Sequence, residues 1–311
     1  MAAGYTDTPK NWSQLEPYVL VKKNRITDEI IRKKKCFFYD TCSFRVHANL
    51  GIEDAAHILE YVKMQGGIFV ITRCILMELA SHSGVLNPEY IQYIKNIYQF
   101  GIPVLVMYEE GIFDVMEVCF STNAVINSYL IWAVRMFKGP VSTITEILNQ
   151  NDTLCDEVIK AKNPENRAMY RNFFSAVRDN KEAGDNLGEE LLAICLHILS
   201  HIPGEEDGKF CIITDDKGAA GKIDTLFKKT INQFKGKSII IFSTPKLAQV
   251  LYAEKLLVNK EDVLAILKAG SNGNLLVLGT RNFDLRVNEI RITCDKLAEL
   301  IMQPNGINVI F

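Results

Sequence analysis

Short runs of continuous apolar residues alternate along this chain with stretches whose apolar positions recur at helical spacing. The runs are Cys36–Tyr39, closed by Asp40, then Ile68–Thr72, Ile102–Tyr108, Lys209–Thr214 and Lys237–Ser243. Helical periodicity falls between them, in Glu53–Met64, through Glu78, around Tyr90–Phe100 and between the last two runs. This alternation predicts parallel strands joined by helical crossovers. Continuous apolarity within each run predicts strands covered on both faces. The fold class expected is therefore α/β, a parallel sheet flanked by helices, with Gly66-Gly67 marking the turn before the second strand.

From Tyr108 to Gly184 the pattern holds helical stretches and no good strand, roughly Thr122–Phe137, Val141–Asn149 and Glu165–Asp179. Residues 109–183 thus read as a helical insertion within a domain spanning 36–256. Residues 1–35 read as a lead-in that ends in a basic helix, and 257–311 as a small α+β appendage. There is no internal repeat and no low-complexity tract.

Composition narrows the picture. A formal net charge of -2 gives no global attraction to polyanions, so any nucleic-acid surface is a local basic patch. The eight cysteines form no Cys-x-x-Cys pair and mostly sit in apolar runs, as reduced and buried thiols do. No apolar stretch approaches the roughly 20 residues needed to cross a bilayer, and the N-terminal stretch does not resemble a signal peptide. A cytoplasmic protein without membrane contact is expected.

Ligands of open parallel sheets bind outside the carboxyl ends of the strands, so the polar residues that close each run are the candidates for chemistry. Asp40 closes the first run and is followed by Thr41, Cys42 and Ser43; Asp215 and Asp216 follow Thr214 at the fourth. Glu78 lies in the apolar helix after the second run. Asp185 and Glu189, four residues apart, share a face at the start of a long helix. Carboxylates gathered at one sheet edge repel unless a cation intervenes, and Mg²⁺ bound by a few carboxylates completes its shell with water and phosphate. Such an ion activates a nucleophilic water and stabilises the leaving oxygen of a phosphodiester.

The succession FFYDTCSF, ITRCILMEL, GDNLGEELLAI and IITDD resembles the pattern of PIN-domain nucleases, in order and in strand context, over residues 36–245. The segment Ser243–Leu251 also resembles the one that follows the fifth strand in that family. The resemblance implies a Rossmann-like PIN-type sheet and a metal-dependent endoribonuclease using Mg²⁺ or Mn²⁺. It implies catalytic roles for Asp40, Glu78, Asp185 and Asp216, with Glu189 and Asp215 as alternates in the metal site. Thr41, Ser43 and Thr214 would hydrogen-bond near the first and last acids. Lys217, Arg171 and Arg178 would contact phosphate. RNA is the expected partner, in a stress, toxin or defence role; an inhibitory partner protein and self-association stay open.

Several of the acids also have a plainer reading. Asp40 and Asp185 suit helix caps, and Glu189 and Glu190 suit a first helical turn. His197 and His201, four apart, lack the HExxH frame of a zinc pair and read as a helix-face pair. Two other functions are compatible with parts of the pattern: a non-catalytic PIN-like scaffold for RNA or protein, and a phosphatase of the haloacid-dehalogenase type. The phosphatase needs a second acid two residues after the nucleophile, where this chain has Cys42.

Overall fold

The computed structural model describes residues 5–137, 142–163, 166–271, 273–281 and 286–311. Strands β1 (Lys35–Tyr39), β2 (Gly67–Thr72), β3 (Val104–Met107), β4 (Phe210–Ile213) and β5 (Ile240–Phe242) form one sheet in the order β3-β2-β1-β4-β5. Every pairing is parallel, as the continuous apolar runs predict. Residues of β1 to β4 are almost all buried, because helices cover both faces and leave no side for polar alternation. The chain steps from β1 outward to β3 and then returns to place β4 on the other side of β1. The order therefore reverses between β1 and β4, and the crevice beyond their carboxyl ends is where such sheets bind ligands.

Backbone detail explains why β2 begins where it does. Gly66 has φ of 61°, a left-handed turn that glycine adopts without a Cβ clash. At Gly67 a Cβ would lie 2.7 Å from the Phe37 ring and 2.9 Å from the Val62 carbonyl. Only glycine lets β2 approach β1 and the preceding helix this closely.

The lead-in is tied to the sheet. The Leu20 amide donates to the Val104 carbonyl at 2.8 Å, and the Val106 amide donates to the Leu20 carbonyl at 3.0 Å. Its basic helix is Lys23–Arg32. Between β3 and β4 run the helices Ile112–Cys119, Asn123–Met136, Thr143–Asn149, Tyr170–Asp179 and Leu187–Leu199. Positions 141 and 165, where two expected helices began, lie outside the described residues. The helix Leu187–Leu199 is buried along nearly its whole length and packs against Arg73–Ala80, Asn123–Met136 and Lys217–Thr230. The region between β3 and β4 shares one hydrophobic core with the sheet.

Toward the C-terminus, β6 (Asn274–Thr280), β7 (Asn288–Thr293) and β8 (Asn308–Val309) make a second, antiparallel sheet in the order β7-β6-β8. The helices Lys260–Ala269 and Cys294–Met302 accompany it. Among the described residues no helix is long and apolar enough to cross a membrane.

Candidate active site

The β1–β4 ladder carries Asp40 and Thr214 side by side at the carboxyl edge. Tyr39 pairs with Ile213, and the Asp40 amide donates to the Ile213 carbonyl at 3.0 Å. Asp40 is buried and caps the helix Thr41–Ala48. Its Oδ1 accepts from the Thr41 amide at 2.7 Å, and its Oδ2 accepts from Thr214 Oγ1 at 2.8 Å and from Cys42 Sγ at 2.9 Å. Burial, reinforced by Asp40, pushes the Cys42 thiol up to about 12. Cys42 therefore stays protonated and serves as a donor. The capping role and a place in the cleft coexist, since an ionised carboxylate offers about four lone-pair sites.

A cleft of about 300 Å³ brings together Asp40, Glu78, Asp185, Glu189 and Asp216, with Tyr5, Thr41, Cys42, Arg45, Ser81, Lys181 and Gly184 also on its walls. Five acids from four separate stretches thus meet at the carboxyl edge. Glu78 comes from the helix Arg73–Ala80. Its Oε2 accepts from Thr41 Oγ1 at 2.5 Å, and its Oε1 faces Lys181 Nζ at 3.3 Å. Burial raises the Glu78 pKa above the ordinary carboxylate range, Lys181 and Thr41 hold it down, and Asp40 adds to the rise. Gly188 makes room for this side chain, because a Cβ there would lie 2.5 Å from Glu78 Oε1.

Asp185 precedes the helix Leu187–Leu199. Its Oδ1 accepts from the Leu187 amide at 3.0 Å and from Lys181 Nζ at 2.5 Å, and its Oδ2 accepts from the Glu182 amide at 2.7 Å. Glu189 is bound through Oε2 by Lys222 Nζ at 2.8 Å. Burial raises its pKa, Lys222 opposes the rise, and Asp216 and Asp40 add to it. Its neighbour Glu190 turns away into the core, where Oε2 accepts from Ser142 Oγ and the Ile144 amide, both at 3.0 Å.

The two acids after Thr214 separate cleanly. Asp216 Oδ1 caps the helix Lys217–Thr230, accepting from the Gly218 amide at 2.6 Å and the Ala219 amide at 3.2 Å. Asp215 lies outside the cleft. It accepts from Ser43 Oγ at 2.7 Å and from the Thr244 amide and Thr244 Oγ1 at 2.6 Å each. Thr244 Oγ1 meets His47 Nε2 at 3.0 Å, and His47 Nδ1 meets Tyr39 Oη at 2.9 Å. Asp215 and the fully buried Ser43 therefore brace the helices behind the strand ends and do not line the cleft.

Three expected phosphate contacts are also placed elsewhere. Lys217 pairs with Glu289 of β7 at 2.9 Å. Arg178 is only 2% exposed and held by Glu109 at 2.6 Å and Glu110 at 2.6 Å and 3.0 Å. Arg171 and Arg178 line a separate, larger cavity of about 610 Å³ that contains none of the five cleft acids. Size alone would favour that cavity, but the candidate acids stand in the smaller one. Basic residues of the cleft are Arg45, whose Nη2 donates to the Glu78 carbonyl at 2.8 Å, and Lys181. Arg45 carried only a weak signal, one turn beyond Thr41 on the same helix, and Tyr5 carried none. His197 and His201 pack together with ring centroids 4.7 Å apart, and His201 Nδ1 donates to the His197 carbonyl.

The donor set is of the kind a small, hard dication takes: carboxylate oxygens, two of which, Asp216 Oδ2 and Glu189 Oε1, have no protein partner among the described residues. Among the described residues no three His, Cys, Asp or Glu side chains already stand as a metal-binding group. Lys181 stands between Glu78 and Asp185, and Lys222 pairs with Glu189. Compared with protein-family models, with curated proteins and with solved structures, the chain matches none.

Proposed function

We propose that the chain is a metal-dependent nuclease of the PIN type, hydrolysing RNA phosphodiesters at the carboxylate cleft. The observation that carries this reading is the meeting of Asp40, Glu78, Asp185, Glu189 and Asp216 in one cleft at the point where the strand order reverses. Asp40, Asp216 and Glu189 would hold Mg²⁺ or Mn²⁺. When bound, the ion supplies Lewis acidity toward a phosphate oxygen and lowers the pKa of water.

The chain's own residues do the remaining work. Thr41, Cys42 and Thr214 fix both oxygens of Asp40. Arg45 stands at the rim as the phosphate contact. Glu78 and Asp185, locked on Lys181, set the opposite wall. The haloacid-dehalogenase reading loses support, because Cys42, a protonated thiol, occupies the place of the second acid. The scaffold reading does not explain why five acids share one cleft at the switch of strand order.

The purified protein should cleave at least one of total RNA, tRNA or single-stranded DNA with Mn²⁺ and none with EDTA. Asp40→Asn should lower the rate at least a hundredfold while leaving the far-ultraviolet circular dichroism unchanged. Undiminished cleavage by Asp40→Asn, or in EDTA, would overturn the mechanism.

A further inference from the structure

The larger cavity, of about 610 Å³, lies beyond the carboxyl ends of β2 and β3, for Arg73 follows the last residue of β2 and Tyr108 the last of β3. Its size falls within the roughly 300–1,000 Å³ of small-molecule sites, and parallel sheets take ligands at these strand ends. Charge on its wall does not balance. Lys23 pairs with Asp114 at 2.5 Å, while Arg178 is held by Glu110 at 2.6 Å and faces Asp7 at 3.4 Å. Every acid of the lining thus has a cation. Arg73 and Arg171, also in the lining, have no acid within ion-pair distance among the described residues.

Arg73 is the unusual member, since it is only 7% exposed and a buried arginine is ordinarily paired with an acid. Its guanidinium lies 4.7 Å from the ring centres of both Trp12 and Tyr108, and Nη1 donates to the Asp7 carbonyl at 3.1 Å. Its Nε is buried and has no hydrogen-bond partner among the described residues. The rings offset part of the desolvation of the cation but leave its charge uncompensated. Burial lowers the Arg73 pKa, and Tyr108, Asp7 and Glu109 oppose that only in part. Opposite groups come from the helix Tyr170–Asp179, which sets Arg171, Ser175 and Arg178 on one face toward the cavity. Arg171 is exposed, and much of the remaining wall is apolar or aromatic, from Val21, Ile26, Met107, Tyr108 and Phe113.

We infer that this cavity is a second ligand site, which takes a small dianion with a flat apolar body, of the nucleoside monophosphate class. Arg73 and Arg171 supply the positive charge that the phosphate balances, and the Ser175 hydroxyl supplies a further donor. The Tyr108 and Phe113 rings give a base its surface. The Asp7 carboxylate, which accepts no hydrogen bond among the described residues, takes ribose hydroxyls. The site is separate from the nuclease reading, because none of the five cleft acids lines this cavity.

Calorimetric titration in EDTA tests the assignment, since chelation removes any metal-held nucleotide from the acidic cleft. The probes are AMP, GMP, CMP and UMP, the four matching nucleosides, and inorganic phosphate. At least one nucleotide should bind wild type, one per chain, and its nucleoside and inorganic phosphate should each bind at least about tenfold more weakly, having lost the charge-assisted contacts or the buried ring. Arg171→Gln removes an exposed side chain without partners, so the fold stands, and it should weaken that nucleotide at least about fivefold by loss of a charge-assisted contact. Arg73→Met should abolish binding; should it fail to fold, Arg171→Gln decides alone. Asp40→Asn should bind the nucleotide as wild type does. No nucleotide binding by wild type, nucleoside or inorganic phosphate binding as tightly as the nucleotide, or unchanged affinity in Arg171→Gln would overturn the inference. Loss of binding in Asp40→Asn would place the ligand in the cleft and overturn it too. None of these outcomes bears on metal-dependent cleavage, which stands or falls by its own assay.

Discussion

At the scale of single residues, adjacent or matching side chains take opposite jobs. Asp215 and Asp216 are neighbours, yet one is bound by Ser43 and Thr244 behind the strand ends while the other caps a helix at the cleft. Removing Asp215 leaves several donors without an acceptor, so Asp215→Ala should cost about 3 kcal/mol of stability. Asp216→Ala should cost about 1 kcal/mol, the worth of a helix cap, and should abolish metal-dependent cleavage. Urea denaturation beside the cleavage assay checks the pair; equal destabilisation would reverse the assignment. Gly188 is informative for a different reason. Alanine there meets the tip of Glu78 at 2.5 Å, and a carboxylate tip swings aside cheaply. The helix would also gain up to about 1 kcal/mol in propensity. Gly188→Ala should therefore leave stability within about 1 kcal/mol of wild type while cutting the cleavage rate roughly tenfold, as loss of a group that orients a metal site does. Unchanged cleavage would show that the seat of Glu78 does not matter.

At the scale of elements, the strands could be read from the sequence because each is a continuous apolar run closed by a polar residue, and both covered faces of the sheet demand that pattern. The order of Asp40, Glu78, Asp185 and Asp216 along those elements was readable for the same reason. Which way a side chain turns at a strand end was not. Local sequence leaves Asp215 and Asp216 equivalent, and only packing of the helix Thr244–Ala253 against the strand ends separates them. Arg178 reads from the sequence as a phosphate contact, but its acidic partners follow β3, about seventy positions earlier in the chain. The same burial gives the helices a pH response. Burial lowers His47 to about 4 and His197 to about 3, while Asp215 partly opposes the shift of His47. Below the ordinary histidine pKa of about 6.5 the unfolded chain takes up protons that the folded helices refuse. Stability contributed by the neutral rings is thus complete above that pH and falls toward pH 4, by up to about 1.4 kcal/mol per pH unit for each histidine. Glu78 and Glu189, raised by burial, act in the opposite direction. His47→Gln isolates the histidine contribution: its urea midpoint should fall less than that of wild type between pH 7 and pH 5. Parallel curves would refute it.

At the scale of the whole molecule, the lead-in, the helices between β3 and β4 and the sheet act as one frame around the cleft. Tyr5 reaches the cleft wall, Leu20 bridges to β3, and the helix Tyr170–Asp179 anchors Arg178 and so places Lys181. Sequence pattern alone could not give these links, because each joins residues far apart in the chain through contacts that leave no periodic trace. The frame holds like charges together by setting lysines beside them and, among the described residues, leaves two carboxylate oxygens without donors beyond the carboxyl ends of β1 and β4. The most direct test is crystallographic. A crystal soaked in Mn²⁺, with diffraction recorded on the low-energy side of the iron edge and above the manganese edge, should show an anomalous peak between the carboxylates of Asp40 and Asp216. A fully soaked crystal with no peak there, or with its peak at a site away from these two acids, would contradict the account.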